Sequence, residues 1–419
     1  MKLLLKSLNY APELTGIGKY NGEMCEAFAE RGLGVTAVVA PPYYPEWQVH
    51  DGYRKFLYQT EAKNEVELIR CPLYVPKKVT TIKRLLHLAT FAFSSGLALF
   101  SRLFKKPDVI ILVQPTLFCA PLTLLYAKLT GTKTVLHIQD YEVDAIFGLG
   151  LMGEGKAASV AKKIERWLMA GFDAVSTISF SMIENAKSKG VPEGKLIHFP
   201  NWSDTSFVTP ETDGSALREE WGFSKEDKVL LYAGNLGAKQ GLEIVLEAAE
   251  RLKDNPHIKF VFVGAGANVD NLKQLAFQQN LSNVYFKPLQ PWELVPQMLA
   301  MADIHLVIQK KGAADAVLPS KLTNILSAGG HAIVTAEAHT ELGRIELQQP
   351  GIYECIEPES ADTLVTSIEN AIQKDTNKHN EVARQFALSY LDKNTIIDNF
   401  LNKLVKITES NSDFAKEIK

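Results

Sequence analysis

The stretch Pro319-Ser320-Lys321-Leu322-Thr323-Asn324-Ile325-Leu326-Ser327-Ala328-Gly329 says most about the fold of this chain. Proline and serine stand where a helix is expected to begin, and the leucine and isoleucine residues give that helix one apolar face. We expect Ser320 to cap it. The first-turn N–H groups carry the positive end of the helix dipole, and Lys321 adds a full charge beside them. The pattern predicts a phosphate-binding helix start, with an ordinary capped helix of an α/β domain as the alternative.

Length and composition limit the classes of protein that this chain can belong to. With 419 residues it is too long for one ordinary core, so two domains are expected, and 46% hydrophobic residues are typical of a globular protein. A net charge of −3 argues against a general nucleic-acid binder. Four widely spaced cysteines form no C-x-x-C pair, so we expect no structural zinc site (Cys25, Cys71, Cys119, Cys355). This cysteine usage also predicts that the protein resides in the reducing cytoplasm.

Short apolar runs alternate with helical patterns from one end of the chain to the other. Continuous apolar strands separated by helices predict parallel sheets that are covered on both faces. The first series of predicted strands is Lys2–Leu8, Val35–Ala40, Val66–Arg70, Asp108–Val113, Lys133–Ile138, Ala174–Ile178 and Lys195–Phe199. The second series is Lys228–Ala233, Lys259–Val263, Val284–Phe286, Asp303–Ile308 and His331–Thr335.

A polar, turn-rich stretch from Asn201 to Ser215 separates the two series and is typical of a linker. We therefore predict an α/β protein with two Rossmann-like doubly wound domains that face each other across a cleft. The predicted spans are 1–205, 206–390 and a C-terminal helix over 391–419 that crosses back to the N-terminal domain. Ligands of such sheets bind at the carboxyl ends of the strands.

Glycine-rich turns follow the first strand of each predicted domain. Gly16 and Gly18 lie in a first turn that is too long for a typical nicotinamide site, and we expect its backbone to reach into the cleft. In the second domain, Lys239 lies between Gly234 and Gly241, where a cation could neutralise a diphosphate; a solvated loop lysine is the alternative. After the next strand, Gly264 would let the backbone approach a base or ribose, or simply make a tight turn.

These motifs together resemble the family-4 glycosyltransferases of the GT-B fold. The resemblance rests on Gly16-Ile17-Gly18, on Gly234-Asn235-Leu236-Gly237-Ala238-Lys239-Gln240-Gly241 and on Pro319-Ser320-Lys321, and it covers nearly the whole chain. The stretches 9–20 and 40–47 are similar to the colanic-acid-type exopolysaccharide biosynthesis glycosyltransferases of bacteria. The resemblance implies a retaining, metal-independent sugar transfer without a cofactor, with the donor site in the second domain and the acceptor site in the first.

The resemblance also assigns roles to single positions. Lys239 matches the family's phosphate-binding lysine, whereas Asn235 stands where many members have arginine. Asn324 falls on the second Glu of the family's E-x7-E motif, which holds the donor ribose, and an asparagine can still hydrogen-bond a diol. The first Glu of that motif falls on Ala316, with Asp315 beside it. We predict a donor site formed by Gly16, Gly18, Asn235, Lys239, Gly264, Pro319, Ser320, Lys321 and Asn324.

The predicted chemistry in the cleft centres on Asp140. The family usually has a His-Asp pair at this position, and this sequence has Gln139-Asp140 there. A carboxylate there could accept a hydroxyl proton or stabilise an oxocarbenium-like centre, so we predict Asp140 and Lys239 as catalytic residues. Glu142 and Asp144 are alternates. We expect His137 to pack at the strand end as a hydrogen-bonded histidine.

A membrane-facing surface is predicted between Glu67 and Asp108, a window that contains no acidic residue. Its basic residues are Arg70, Lys77, Lys78, Lys83, Arg84, Arg102, Lys105 and Lys106. The long apolar helix in the same window is too short and interrupted to span a bilayer, so we expect in-plane contact with the inner face of the cytoplasmic membrane; a core crossover helix is the alternative. A lipid-linked sugar acceptor would explain it, with Tyr43, Tyr44 and Trp47 offering rings to its sugars; aromatic residues flanked by proline that simply pack a loop are the alternative.

The sequence therefore predicts a hexosyltransferase that moves a sugar from a nucleotide donor to a lipid-linked saccharide in exopolysaccharide biosynthesis. The resemblance favours a GDP-sugar such as GDP-fucose, followed by UDP-sugars. The changed positions Asn235, Ala316 and Asn324 leave a catalytically idle nucleotide-sugar-binding subunit as one alternative. A sugar-nucleotide epimerase shares the two-domain plan and is the other, although the membrane-type helix disfavours it.

Overall fold

The computed structural model describes residues 1–13, 16–44, 46–77, 80–141, 156–237, 240–312, 318–374, 376 and 378–409, and it omits the side chains of residues 81 and 156–158. The chain divides into two compact units. The first unit contains Met1–Pro200 and Ile397–Lys419, and the second contains Asn201–Ile396.

The first unit is built on an eight-stranded sheet with the order β3-β4-β2-β1-β5-β6-β7-β8. Its strands are β1 Lys2–Ser7, β2 Gly34–Val39, β3 Gln59–Lys63, β4 Val66–Arg70, β5 Val109–Gln114, β6 Lys133–Ile138, β7 Ala174–Thr177 and β8 Leu196–His198. Neighbouring strands are parallel, except that β3 pairs antiparallel with β4 at the edge. All six residues of β5 are buried, as expected for a central strand covered on both faces.

Helices cover the sheet of the first unit. They are α1 Gly16–Glu30, α2 Thr81–Phe100, α3 Ala120–Thr130, α4 Lys156–Ala170 and α5 Phe180–Ser188, with short 3-10 turns at Leu103–Lys105, Leu117–Cys119 and Glu193–Lys195. Helix α2 serves as a crossover element whose inner face, including Leu88, Phe91 and Leu99, is buried. No helix in the described part of the chain is long and apolar enough to cross a membrane.

The second unit contains a six-stranded, fully parallel sheet with the order β11-β10-β9-β12-β13-β14. Its strands are β9 Lys228–Ala233, β10 Ile258–Val263, β11 Val284–Lys287, β12 Ile304–Val307, β13 Ala332–Thr335 and β14 Glu354–Ile356. Its helices are α6 Ser215–Glu220, α7 Glu243–Arg251, α8 Val269–Gln278, α9 Val295–Ala300, α10 Ser320–Ser327, α11 Glu341–Gln348, α12 Ala361–Ile372 and α13 Glu381–Tyr390, with a 3-10 turn at Trp292–Leu294.

The last described helix, α14, spans Lys393–Glu409, and from Ile397 onward it belongs to the first unit. Its stripe of Ile397, Phe400 and Leu404 is buried. The Phe400 ring stacks on that of Phe199 with 3.8 Å between centroids. Burial of this stripe explains why the polar tail forms a helix over Lys393–Glu409; the rest of the predicted helix, residues 410–419, lies outside the described residues.

The prediction of two doubly wound α/β domains with parallel sheets is confirmed, and each predicted strand matches an observed one. The sequence missed two strands at sheet edges. Gln59-Thr60-Glu61-Ala62-Lys63 is polar because strand β3 is largely exposed, and β14 has only three residues. Neither provides the apolar run that identifies a buried strand.

Strand order creates one switch point in each sheet, where successive connections leave in opposite directions. In the first sheet it lies between β1 and β5, and in the second it lies between β9 and β12. Crevices at the carboxyl ends of such strand pairs are the usual ligand sites of open α/β sheets. The two switch points therefore identify where each unit is expected to bind a ligand.

Candidate functional site

In the second unit, two glycine turns pack backbone against backbone beside the switch point. Gly234 follows β9 with φ of 147° and Gly264 follows β10 with φ of 145°. A Cβ atom on Gly264 would lie 1.9 Å from the carbonyl oxygen of Gly234, and one on Gly266 would lie 2.4 Å from that of Leu236. Contacts inside the protein thus account for glycine at position 264, in agreement with the tight turn that was the alternative to the approach of a base or ribose.

Hydrogen bonds fix the shape of the turn that follows β9. The N–H of Gly234 donates to the carbonyl of Val263 at 2.9 Å, and the N–H of Leu236 donates to that of Ala265 at 2.9 Å. The hydroxyl of buried Tyr232 donates to the carbonyl oxygen of Asn235 at 2.9 Å. The Asn235 residue is itself exposed at this edge of the sheet. The turn therefore has a defined conformation before any ligand binds.

Lys321 lies directly over this turn. Its Nζ atom is 3.8 Å from the centroid of the Tyr232 ring and 3.4 Å from the position that a Cβ atom of Gly234 would occupy. Burial of the ammonium group lowers the pKa of Lys321 to about 7. Tyr232 provides a cation–π contact, but no carboxylate pairs with Lys321 among the described residues. A bound anion would therefore supply the charge partner that the ammonium group lacks.

The predicted cap at Ser320 is wrong by one residue. Pro319 occupies the N-cap position, Ser320 is the first residue of α10, and no side chain among the described residues caps the helix. The Ser320 side chain is exposed. The N–H groups of Ser320 and Lys321 consequently have no protein partner within the described chain, as the first turn of an uncapped helix requires. An uncapped helix start is better suited to an anion than a capped one would be.

Of the other positions to which the resemblance assigns a donor-site role, the structure describes Asn324 but not Lys239. Asn324 lies one turn along α10, and its Oδ1 accepts a hydrogen bond from the Ser203 hydroxyl at 2.8 Å. One of its polar atoms is thus engaged by the protein, which the sequence did not indicate. Lys239, Asp315 and Ala316 lie outside the described residues.

One lysine beside the glycine turn was not identified from the sequence. A Cβ atom on Gly241 would lie 2.9 Å from Cγ and 3.2 Å from Cε of Lys310, so this side chain runs along the end of the turn. Lys310 is exposed and follows β12, the other strand of the switch point. The neighbouring Lys311 instead pairs with Glu337 at 3.1 Å. The one sequence signal that could have identified Lys310 as a candidate site residue is its position directly after the predicted strand that corresponds to β12.

In the first unit, a cavity of about 270 Å³ lies at the carboxyl ends of β1 and β5, at the switch point of that sheet. It is lined by Leu8, Asn9, Gly16, Ile17, Gly18, Tyr43, Tyr44, Trp47, Arg84, His87, Leu88, Pro115 and Asp140. Six predicted site residues thus meet in one cavity. Gly16 and Gly18, assigned to the donor, line the same cavity as the three aromatic residues assigned to the acceptor. Asp140 is exposed there, whereas Glu142 and Asp144 lie outside the described residues.

Glu13 organises two loops of this cavity and was not identified from the sequence. It is 4% exposed, and its Oε1 accepts hydrogen bonds from the N–H groups of Tyr43 and Tyr44, both at 3.1 Å. Its Oε2 accepts from the Asn9 side chain at 2.9 Å. A Cβ atom on Gly18 would lie 2.7 Å from Cβ of Glu13, so the glycine provides space for the carboxylate. Burial raises the pKa of Glu13, and these hydrogen bonds oppose the rise.

Tyr43 does not present an open ring face, contrary to the prediction. Its side chain is 3% exposed, and its hydroxyl donates to Nε2 of His87 at 3.2 Å while His87 Nδ1 donates to the Tyr74 carbonyl at 2.5 Å. Burial lowers the pKa of His87, which is therefore neutral at pH 7. The Tyr43 ring meets that of Trp47 edge to face, with 5.6 Å between centroids. Tyr43 thus supports Trp47, and the exposed rings are those of Tyr44 and, in part, Trp47.

The histidine at the end of β6 has the structural role that the sequence predicts. His137 is buried, and its Nδ1 lies 2.9 Å from the Ser176 hydroxyl. Burial lowers the pKa of His137 to about 3, so it is neutral at pH 7. It supports the strand that carries Asp140 and does not itself line the cavity.

Comparison with known proteins identifies the family. Residues 15–202 match the family model of the glycosyl transferase 4-like domain, and residues 213–387 match that of glycosyl transferases group 1. The chain is 51% identical over 409 residues to a candidate colanic acid biosynthesis glycosyl transferase, WcaI, of Escherichia coli (strain K12). That alignment covers 96% of this chain and 100% of WcaI.

Solved structures share the fold at low sequence identity. Sucrose-phosphate synthase from Thermosynechococcus elongatus superposes with a TM-score of 0.75 at 14% identity, covering 98% of this chain and 99% of that one. The Anabaena protein Alr3699/HepE, crystallised in complex with UDP, gives a TM-score of 0.70 at 15% identity, covering 97% and 100%. Together with the family models and the alignment to WcaI, these matches confirm the resemblance: the chain belongs to the GT-B glycosyltransferases, in the family that contains the colanic acid biosynthesis transferase WcaI.

Proposed function

We propose that this glycosyltransferase moves a sugar from a nucleotide donor to a lipid-linked saccharide in bacterial exopolysaccharide biosynthesis. The 51% identity to WcaI along its whole length supports this biosynthetic role. In this proposal the second unit holds the donor and the first unit holds the acceptor. The donor is a GDP-sugar or a UDP-sugar, and the enzyme is a hexosyltransferase.

One observation carries the donor assignment. At the switch point of the second sheet, Lys321 lies over the Gly234 turn, and the uncapped N–H groups of Ser320 and Lys321 belong to the same helix start. A diphosphate placed there would accept hydrogen bonds from both amides and restore the charge of the half-buried ammonium group. Donors of this kind, aimed at charge that develops on a leaving group, each typically contribute about 10²–10³ in rate.

Further cations would share the charge of the leaving diphosphate. Lys239 is proposed as the phosphate-binding lysine, as the family resemblance implies, and Lys310 lies beside Gly241 at the end of the same turn. With lysines and helix amides in this role, we propose a transfer that needs no metal ion. We further propose retention of anomeric configuration, in which the leaving phosphate accepts the proton of the incoming hydroxyl.

The cavity of the first unit is proposed to hold the acceptor sugar. Asp140 would accept a hydrogen bond from its hydroxyl group or stabilise positive charge at the reacting carbon. Tyr44 and Trp47 offer ring surface at the cavity wall, and the carboxylate of Glu13 fixes the loop that carries Tyr44. Aromatic side chains of this kind suit a sugar ring because they present an apolar body.

An exposed apolar stripe on α2 supports contact with a membrane. Ile82 and Phe93 are 79% and 67% exposed, and Leu86 and Leu97 complete a stripe with the spacing of one helix face. Other exposed apolar side chains lie on the neighbouring α3 and on α4: Leu125, Leu129, Val160, Ile164 and Trp167. Exposed apolar side chains that line one face of a helix, as on α2, are typical of an interaction site. We propose that this face binds the inner surface of the cytoplasmic membrane.

The basic surplus in that region is smaller than the sequence suggests. Arg70 is buried and pairs with Glu61 at 2.9 Å, and Arg102 pairs with Glu67. Both carboxylates come from outside the acid-free window or from its boundary, so these arginines are already paired with an opposite charge. Lys83 and Lys105 remain exposed beside the apolar stripe. The proposed membrane contact therefore depends mainly on apolar side chains, with basic residues at the two ends of the helix.

The proposed transfer can be tested with the purified full chain. GDP- and UDP-sugars are incubated with membranes or vesicles that contain a polyprenyl-diphosphate-linked saccharide, and release of nucleoside diphosphate is measured. We expect acceptor-dependent release with one donor class, and a loss of about 10²–10³ in rate for Lys321→Met, which keeps the aliphatic stem. Lys374→Ala, which changes an exposed lysine of the same unit, is the matched control.

A catalytically idle nucleotide-sugar-binding subunit is the second candidate. The hydrogen bond from Ser203 to Asn324 favours it, because one oxygen that would face a ribose is already engaged. Binding of the nucleotide sugar without any turnover, with or without acceptor, would support this alternative. Turnover that Lys321→Met abolishes would remove it.

A further inference from the structure

The cavity of the first unit contains a guanidinium group that the proposed chemistry does not use. Arg84 lies in the first turns of α2, is half-buried, and lines the cavity together with Trp47 and Asp140. Within the described ranges, no ion pair or side-chain hydrogen bond engages its guanidinium group. A half-buried arginine normally has a carboxylate or carbonyl partner, since its five N–H groups are costly to desolvate without one.

Two titratable side chains beside Arg84 carry no charge that could neutralise it. His87 and Tyr43 lie close to it, and both are neutral at pH 7 because burial lowers the pKa of the first and raises that of the second. Among the described lining residues, Asp140 is the only carboxylate and Arg84 the only cation. If Asp140 acts on the acceptor hydroxyl, the positive charge of Arg84 is available to a second group of the acceptor.

The position of Arg84 on its helix suggests where that second group comes from. Ile82 and Leu86 lie on the exposed apolar stripe, and Arg84 is about 200° around the helix from Ile82, on the cavity side. A helix resting on lipid would hold this guanidinium about one helix diameter, or about 10 Å, above the surface. The linkage between a lipid and its first sugar occupies this region, and in a lipid-linked saccharide of the diphosphate type that linkage is anionic.

We propose that Arg84 binds an oxyanion of the acceptor, the phosphate that joins saccharide to lipid or a carboxylate of the saccharide itself, and thereby selects acidic acceptors. This inference rests on the proposed function and adds the acceptor's chemistry to it. A guanidinium group suits either oxyanion because its planar N–H groups pair with two oxygens at once. Lysine at this position would provide charge without that paired geometry.

The test uses soluble probes and the full chain, in the presence of saturating nucleoside diphosphate so that the donor site is occupied. Geranyl diphosphate, methyl glucuronide and methyl glucoside are titrated by calorimetry into wild type, Arg84→Ala, Arg84→Lys and Arg54→Ala. Arg54 is an exposed arginine of the same unit that does not line the cavity, so it is the matched control. The melting temperature of each variant is measured to exclude unfolding as the cause of lost binding.

We expect one anionic probe to bind wild type and the Arg54→Ala control equally, and to bind Arg84→Ala about 10- to 100-fold more weakly, with Arg84→Lys between them. If the binding of geranyl diphosphate depends on Arg84, the oxyanion of the acceptor is the phosphate that joins saccharide to lipid. If the binding of methyl glucuronide depends on Arg84, the oxyanion is a carboxylate of the saccharide. Equal binding of both anionic probes to wild type and Arg84→Ala would overturn the inference.

The result also separates this inference from the proposed function. Nucleoside diphosphate binds in the second unit in our account, so Arg84→Ala should retain wild-type affinity for it. If wild type binds nucleotide but neither anionic probe depends on Arg84, only the acceptor inference fails. If wild type binds no nucleoside diphosphate at all, the proposed function fails first.

Discussion

The ammonium group of Lys321 lies 3.8 Å from the centroid of the Tyr232 ring, which places the first lysine of a helix over the end of a neighbouring strand. Tyr232 in turn donates its hydroxyl hydrogen to the backbone of the glycine turn. The strand end, the turn and the helix start are therefore one connected structure. Its exposed edge presents the backbone N–H groups of Ser320 and Lys321 and the titratable ammonium group of Lys321. This arrangement suits an anion that is bound and then released.

Donor affinity should depend on pH through Lys321. Burial lowers its pKa to about 7 in the free protein, and a bound diphosphate would raise that pKa. The protonated form binds the anion, so affinity is highest below pH 7 and falls as the pH rises through 7, by about tenfold per unit until the pKa of the complex is reached. Calorimetric titration of the nucleotide sugar between pH 6 and 9 measures this slope.

Lys321→Met provides the control for that pH dependence. The variant should bind the nucleotide sugar more weakly at pH 6.5 and show a flat profile, because methionine has no proton to exchange. A slope as steep in Lys321→Met as in wild type would show that another group is responsible.

Gly264→Ala should disrupt the donor unit. The new Cβ atom would lie 1.9 Å from the carbonyl oxygen of Gly234, and φ of 145° is itself strained for alanine. We expect a loss of about 2–5 kcal/mol in the free energy of unfolding, together with weaker nucleotide binding. Gly194→Ala is the matched control, since a Cβ atom there meets nothing within 4 Å. Chemical denaturation of both variants checks the prediction, and equal stability would contradict the observed packing.

Glu13→Ala should impair acceptor use and leave donor binding intact. The substitution leaves the N–H groups of Tyr43 and Tyr44 without their acceptor, at a cost of about 2–4 kcal/mol in stability. The loop with the exposed Tyr44 ring then loses its fixed position, so KM for the acceptor rises. Glu30→Ala, at an exposed glutamate of the same unit, should change neither property. Steady-state kinetics with varied acceptor, together with calorimetry of the nucleotide, distinguish the two sites.

The apolar stripe of α2 should determine vesicle binding without affecting folding. Because Phe93 and Leu97 are exposed, replacing both with serine removes lipid contacts and no core packing. We expect partitioning onto vesicles with anionic lipids to fall about tenfold or more, with an unchanged melting temperature. Leu347→Ser, at an exposed leucine of the second unit, is the control in the same sedimentation assay. Unchanged partitioning of the double variant would argue against a lipid-binding face here.

The sequence predicts the central strands of both sheets well, because a strand that is buried on both faces consists of a continuous run of apolar residues. Strand β5 has six buried residues in Val109–Gln114, and a run of that kind has few other interpretations. The exposed edge strand Gln59–Lys63 lacks this signal, since only its pairing with β4 makes it a strand. Arg70 was predicted to be a surface charge for the same reason. Its partner Glu61 lies on the adjacent strand, and this pairing cannot be seen in the local sequence.

Site residues were predicted less well where local patterns are ambiguous. Aromatic residues flanked by proline fit both a buried and an exposed loop, and Tyr43 is buried while Tyr44 is not. Pro319 and Ser320 fit two helix starts that differ by one residue, and the structure has the one without a cap. Glu13 belongs to no recognisable motif, because its role depends on two N–H groups that lie 30 and 31 residues away along the chain.

The proposed function depends above all on the binding of the donor diphosphate by the second unit at the start of α10. The most direct test is a crystal structure of the full chain with an intact nucleotide sugar. We predict that the diphosphate oxygens lie within hydrogen-bonding distance of the N–H groups of Ser320 and Lys321 and of the Lys321 ammonium group. A diphosphate located away from Lys321 and from the start of α10 would contradict this assignment of the donor site.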